Sequence, residues 1–81
     1  MTLRIITASY GIPGHYADVT KQIQDKVEGN NRHIEISNES MGGDPAVGHL
    51  KQLSVVYFGI DGGPHAAVGT EGATIVLEHG L

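Results

Sequence analysis

The chain has 81 residues, no cysteine and no tryptophan, and nine acidic against five basic residues for a net charge of −4. That length holds one hydrophobic core and not two, and without cysteine no disulfide framework can support it. The basic residues Arg4, Lys21, Lys26, Arg32 and Lys51 are scattered, whereas a phosphate backbone calls for a row of Lys and Arg, so nucleic acid is not an expected partner.

In chain order, Thr2 to Tyr10 alternates Leu3, Ile5 and Thr7 with Arg4, Ile6 and Ala8. Both sets are largely apolar, which predicts a strand covered on both faces. Gly11-Ile12-Pro13-Gly14 forces a loop, because proline fixes φ and lacks a donor. Asp18 or Thr20 can cap a helix whose Val19, Ile23 and Val27 share one face, with Gly29-Asn30-Asn31 ending it. No other stretch has helical spacing. His33 to Ser37 turns Ile34 and Ile36 to one side and His33, Glu35 and Ser37 to the other, a half-exposed strand. Met41 to His49 reads as a Gly/Pro-rich loop. Lys51 to Ile60 is the strongest strand, with Leu53, Val55 and Tyr57 opposite Ser54, Val56 and Phe58. After the turn residues Asp61-Gly62-Gly63, His65 to Val68 and Ala73 to Leu77 are expected to pair as a hairpin around Gly69-Thr70-Glu71-Gly72.

The expected fold is a single domain over residues 1–81, mainly β (α+β). It would be one antiparallel sheet or small sandwich of about five strands with one short helix. Ordering so short a chain nearly cancels what one core contributes, so a homodimer is expected. The longest apolar run, Leu53 to Ile60, is interrupted by Ser54 and Gly59 and predicts no membrane span. Met1-Thr2-Leu3-Arg4 does not open a secretory signal, so the expectation is a cytoplasmic or non-classically secreted chain. Asn38-Glu39-Ser40 matches a glycosylation acceptor by chance.

Catalytic and metal motifs are not found. Gly43-Asp44-Pro45-Ala46-Val47-Gly48 has the glycine spacing of a phosphate loop, but His49 and Leu50 stand where Lys and Ser/Thr are needed. The histidines at 15, 33, 49, 65 and 79 form no helical ligand pair. His15, His49 and His65 would have to converge from separate loops to hold zinc. Glu39, Asp44, Asp61 and Glu71 are too dispersed for calcium and suit turns. Ser9, Ser37, Ser40 and Ser54 lack a nucleophile-elbow context. The expectation is a non-enzyme with no cofactor and no metal.

Binding at a shallow site asks only for an aromatic face and a few fixed polar groups. Tyr10, His15, Tyr16 and Asp18 cluster around the first loop, while Asn38, Glu39, Ser40 and Asp44 line the long one. Rings that pack on C–H faces beside carboxylate, amide and imidazole groups suit a sugar. Taken singly, each residue also has an ordinary reading, Tyr10 and Tyr57 as core edges and Asp18 as a helix cap. The alternative function is a protein-interaction or assembly domain using an exposed strand edge or apolar patch.

Ala8-Ser9-Tyr10-Gly11, Asp18-Val19-Thr20, Ile34-Glu35-Ile36-Ser37-Asn38, Gly43 to Gly48 with Lys51 to Tyr57, and Glu71 to Leu77 occur in an order that covers nearly the whole chain. In this the sequence resembles the domain of unknown function at the C-terminus of a mitochondrial DnaJ subfamily, which also occurs free-standing in bacteria and fungi. The J-domain and the barrel-like region that accompany it are missing here, so the resemblance implies neither a chaperone nor a mitochondrial role. The chain is similar as well to small fungal and bacterial α-galactose-binding lectins of mainly β, dimeric build. That likeness implies a lectin-like module whose partner is a glycan, of galactoside type, bound by Tyr10, His15, Tyr16, Asp18, Asn38, Glu39 and Asp44. The lack of tryptophan departs from the commonest sugar-stacking chemistry and leaves Tyr10, Tyr16 or Tyr57 to supply the ring.

Overall fold

The computed structural model describes residues 3–29, 32–43, 46–60 and 62–77. Among these residues the elements run β1 (Arg4–Ile12), β2 (His15–Asp18), α1 (Thr20–Glu28), β3 (His33–Glu35), α2 (Asn38–Met41), β4 (Gln52–Phe58), β5 (Pro64–Thr70) and β6 (Thr74–Val76). All pairings are antiparallel: a four-stranded sheet ordered β2-β1-β4-β5, and a separate two-stranded ladder of β3 with β6. The chain is mainly β, as the alternation predicts.

Period-two patterning sets the faces. Leu3, Ile5, Ala8 and Tyr10 turn inward beside Leu53, Val55 and Tyr57 of β4, with Ile5 opposite Tyr57 and Tyr10 opposite Leu53. The register shifts between Ile5 and Thr7, which is why the inward positions step from Ile5 to Ala8. Helix α1 packs onto this face through Ile23 and Val27, and the β3–β6 pair through Ile34 and Ile36. The other face has no cover among the described residues. Ile6 and Val68 stand 44% and 64% exposed there. The expectation that the first strand is covered on both sides is therefore corrected. Ile6 sits at the bulge, where a β-branched side chain suits the strand without being buried.

Helix α1 also completes an edge. Strand β2 has four residues, so the first half of β1 has no strand partner on that side. Gln24 takes that place: its Oε1 accepts from the Ile5 N–H at 2.8 Å and its Nε2 donates to the Leu3 carbonyl at 3.1 Å. Thr20 Oγ1 accepts from the Ala8 N–H at 3.0 Å, and the Val19 N–H donates to the Ala8 carbonyl at 2.9 Å. The helix is thus aligned on the sheet by hydrogen bonds as well as by its apolar stripe.

Two further expectations are corrected. Residues Asn38–Met41 form a one-turn helix within what reads as loop: Ser37 Oγ accepts from the Ser40 N–H at 3.0 Å, and Gly42 closes the turn at φ +86. Four residues are too few for helical periodicity to show, and the caps alone set it. The last two strands do not form a hairpin either, since β5 pairs with β4 and β6 with β3. The Glu71 N–H donates to the Lys51 carbonyl and the Gly72 N–H to the Ile36 carbonyl, both at 2.8 Å, which carries the chain from one layer to the other. A Cβ on Gly69 would run into Ile36 Cδ1 and Ile75 Cγ2. Its absence lets the β3–β6 layer rest directly on β5. Turn residues announce a reversal but do not choose the pairing partner.

Candidate functional site

Between the β2–α1 junction and the end of α2 lies a cavity of about 270 Å³. Tyr10, Ala17, Asp18, Val19 and Gln22 form one wall, and Met41, Gly42 and Gly43 the other. Of the residues the sequence singles out, Tyr10 and Asp18 line the cavity, while the first loop, Gly11-Ile12-Pro13-Gly14, and Asn38 do not. Pairing of β2 with β1 sets Ala17 opposite Tyr10 and Asp18 opposite Ser9, and the first turn of α1 brings Gln22 to the same cavity.

Asp18 is held in place by its successor. Its Oδ1 accepts from Thr20 Oγ1 at 2.6 Å and from the Thr20 N–H at 3.0 Å. The hydroxyl, and then the amide, hold its carboxyl below the usual carboxylate range. The group is therefore ionised at neutral pH, and Oδ2 makes no hydrogen bond among the described residues. The Gln22 amide likewise has no hydrogen-bond partner among them. Ala17, Val19 and Met41 supply the apolar part of the lining, with Val19 and Met41 buried. The wall built by Gly42 is tight, for a Cβ there would come 3.3 Å from Gln22 Nε2.

The sequence-predicted residues divide. Tyr10 borders the cavity from beneath: its ring is fully buried, and its hydroxyl donates to Asn38 Oδ1 at 2.7 Å. That burial leaves it no free face for stacking. Tyr16, 53% exposed, and the exposed His15 lie on β2 and do not line the cavity; with Ala17 opposite the inward Tyr10, strand alternation turns Tyr16 to the other face of the sheet. Tyr16 pairs with Gly11, which has φ +154 and where a Cβ would strike the His15 carbonyl oxygen, so β2 can lie this close only against glycine. Glu39 is exposed on α2 and lines a different recess, with Lys26, Glu35 and Ser37. Asp44 lies outside the described residues. Gln22, Met41 and Gly42 escaped the sequence reading. Nothing local in the sequence pointed to them, because the fold brings them together from α1 and the end of α2.

A second recess, of about 500 Å³, is lined by Asn38, His49, Lys51 and Glu71 among others. Lys51 is 2% exposed. Its Nζ donates to the carbonyls of His49 at 2.6 Å and Ala46 at 3.2 Å and lies 3.3 Å from Glu71 Oε1. Three acceptors around one ammonium make it an internal tie between the 46–50 loop and the β5–β6 turn. Among the described residues no three His, Cys, Asp or Glu side chains are placed to hold a metal ion. His15, beside Ile12, and His65, beside Tyr57, stand at opposite ends of the sheet, so the convergence of His15, His49 and His65 does not occur. No helix among the described residues is long and apolar enough to cross a membrane.

No protein-family model, curated protein or solved structure matches the chain.

Proposed function

We propose that the chain is a non-catalytic, lectin-like module that binds carbohydrate of the galactoside class in the cavity between the β2–α1 junction and α2, and that it acts as a homodimer. The observation that carries the reading is the composition of that cavity. A carboxylate fixed by Thr20 and an amide without a partner among the described residues share the cavity with the apolar side chains of Ala17, Val19 and Met41. Sugars present the same two chemistries, hydroxyls that pair with a carboxylate or amide and C–H faces that pack on apolar side chains. At about 270 Å³ the cavity falls just below the range of drug-sized ligand sites, ~300 to ~1,000 Å³. It suits a single sugar ring. The galactoside class comes from the likeness to α-galactose-binding lectins. In a homodimer, two such weak sites would act together on a surface bearing many glycans.

A glycan array probed with the full chain tests this. Galactosides should bind, and Asp18→Ala and Gln22→Ala should each weaken them roughly tenfold or more, the cost of a lost hydrogen bond to a charged or buried polar group, with the circular dichroism spectrum unchanged. Absence of binding to every glycan removes the reading. A second reading, a protein-interaction domain, has its own support in the uncovered apolar residues Ile6, Val56, Phe58 and Val68 on the outer face. It predicts no glycan binding and no effect of the cavity substitutions on partner capture.

A further inference from the structure

The two edges of the four-stranded sheet are treated differently. On the β2 side the strand is short and carries the charge of Asp18, and Gln24 and Thr20 occupy the part of β1 that β2 does not reach. On the other side, β5 is a seven-residue strand, Pro-His-Ala-Ala-Val-Gly-Thr, without a charged residue. Apart from Pro64 at its start it carries no edge guard, and uncharged edges of this length are templates for strand addition.

The register shows which backbone groups β5 leaves open. The Glu71 N–H donates to the Lys51 carbonyl and the Gly59 N–H to the Gly63 carbonyl. These bonds bracket the β4–β5 ladder and fix its parity, so His65, Ala67 and Gly69 bond to β4 while Pro64, Ala66, Val68 and Thr70 direct their backbone groups outward. Two of those outward positions are special. Pro64 has no N–H to give, and the Thr70 carbonyl already accepts from the Ala73 N–H at 3.0 Å.

We propose that β5 pairs antiparallel with β5 of a second copy about a twofold axis at Ala67, joining two sheets into one continuous sheet. In this register Ala66 exchanges both backbone hydrogen bonds with Val68 of the second copy, and the reverse. Pro64 falls opposite Thr70 of the second copy, so the residue lacking a donor meets the carbonyl that needs none. The Thr70 N–H is left facing the Pro64 carbonyl. Side chains match as well, with the larger Val68 opposite Ala66 and no charge meeting a like charge. An unrelated extended peptide would not share this coincidence at both ends, whereas a twofold axis repeats it automatically. The uncharged edge also lets two molecules of net charge −4 approach where neither carries a carboxylate. The inference specifies the homodimer of the reading above and is independent of its ligand.

Sedimentation velocity across a concentration series, with amide exchange at Ala66 and Val68, tests it on the full chain. The native chain should be a dimer with both amides protected. Val68→Lys, at an exposed position, should weaken self-association by more than about tenfold and deprotect both amides with the fold intact. Ala66→Pro should do the same, since that N–H does not bond to β4. A native chain that stays monomeric overturns the proposal. So does a dimer that persists in Val68→Lys with both amides exchanging freely, which would place self-association on another surface. Glycan binding is scored separately, so either failure leaves the sugar site to be judged by its own test.

Discussion

The Tyr10 hydroxyl donates to Asn38 Oδ1 at 2.7 Å, tying the fully buried ring of β1 to the first residue of α2. Tyr10 lines the cavity, and the bond links it to α2, whose last residue Met41 lines the opposite side. Tyr10→Phe removes the donor while keeping the ring. It should cost about 1–2 kcal/mol in urea denaturation and also weaken any ligand of the cavity. Unchanged stability would mean that the bond does not hold α2 in place.

Gly69 carries the contact between the layers. Gly69→Ala adds a Cβ against Ile36 Cδ1 and Ile75 Cγ2, and either the β3–β6 pair or β5 must shift. A loss of about 1–3 kcal/mol is expected, as for other overpacked cores. Thermal unfolding of this variant measures it, and wild-type stability would show that the layer yields without strain.

Lys51 is the one buried charge among the described residues. Lys51→Met keeps most of the volume but leaves the Ala46 and His49 carbonyls without their shared donor and Glu71 without its cation. Glu71 remains partly exposed and can be rehydrated, so the loss should be about 2–3 kcal/mol, below that for a fully buried pair. Faster amide exchange across residues 46–50 should accompany it. Stability at or above the wild-type level would mean that the ammonium costs as much to bury as it returns.

Asp18 gives a pH dependence of definite sign. Its carboxyl is held below the usual range by the Thr20 hydroxyl and amide. The stability it adds is therefore complete above the ordinary carboxylate pKa and is lost as pH falls through the lower, folded-state value. The gap in denaturation midpoint between the native chain and Asp18→Ala should be constant near neutral pH and close in acid. A gap that widens in acid contradicts the assignment.

The alternation of Leu53, Val55 and Tyr57 with Ser54, Val56 and Phe58 made β4 legible, and Val19, Ile23 and Val27 made α1 legible, because burial on one face imposes a period. What escaped depends on contacts distant in sequence. Nothing local to Gly69 or Glu71 says that β6 pairs with β3, and the helix at Asn38 is set by Ser37 and Gly42 and not by any apolar repeat. The site was visible only in part for the same reason. Asp18 stood out as a polar residue beside a turn, whereas Asn38, equally prominent, lines the second recess, and Met41 and Gly42 look like core and turn until the fold sets them against Gln22. Tyr10 carries a sugar-stacking residue type, yet the inward register of β1 buries its ring.

The most direct test of carbohydrate binding in this cavity is a galactoside titration of the isotope-labelled chain followed by NMR. Saturable amide shifts should cluster at Asp18, Gln22 and Gly42 and disappear in Asp18→Ala. Shifts centred on another surface, or none with any sugar, would contradict the account.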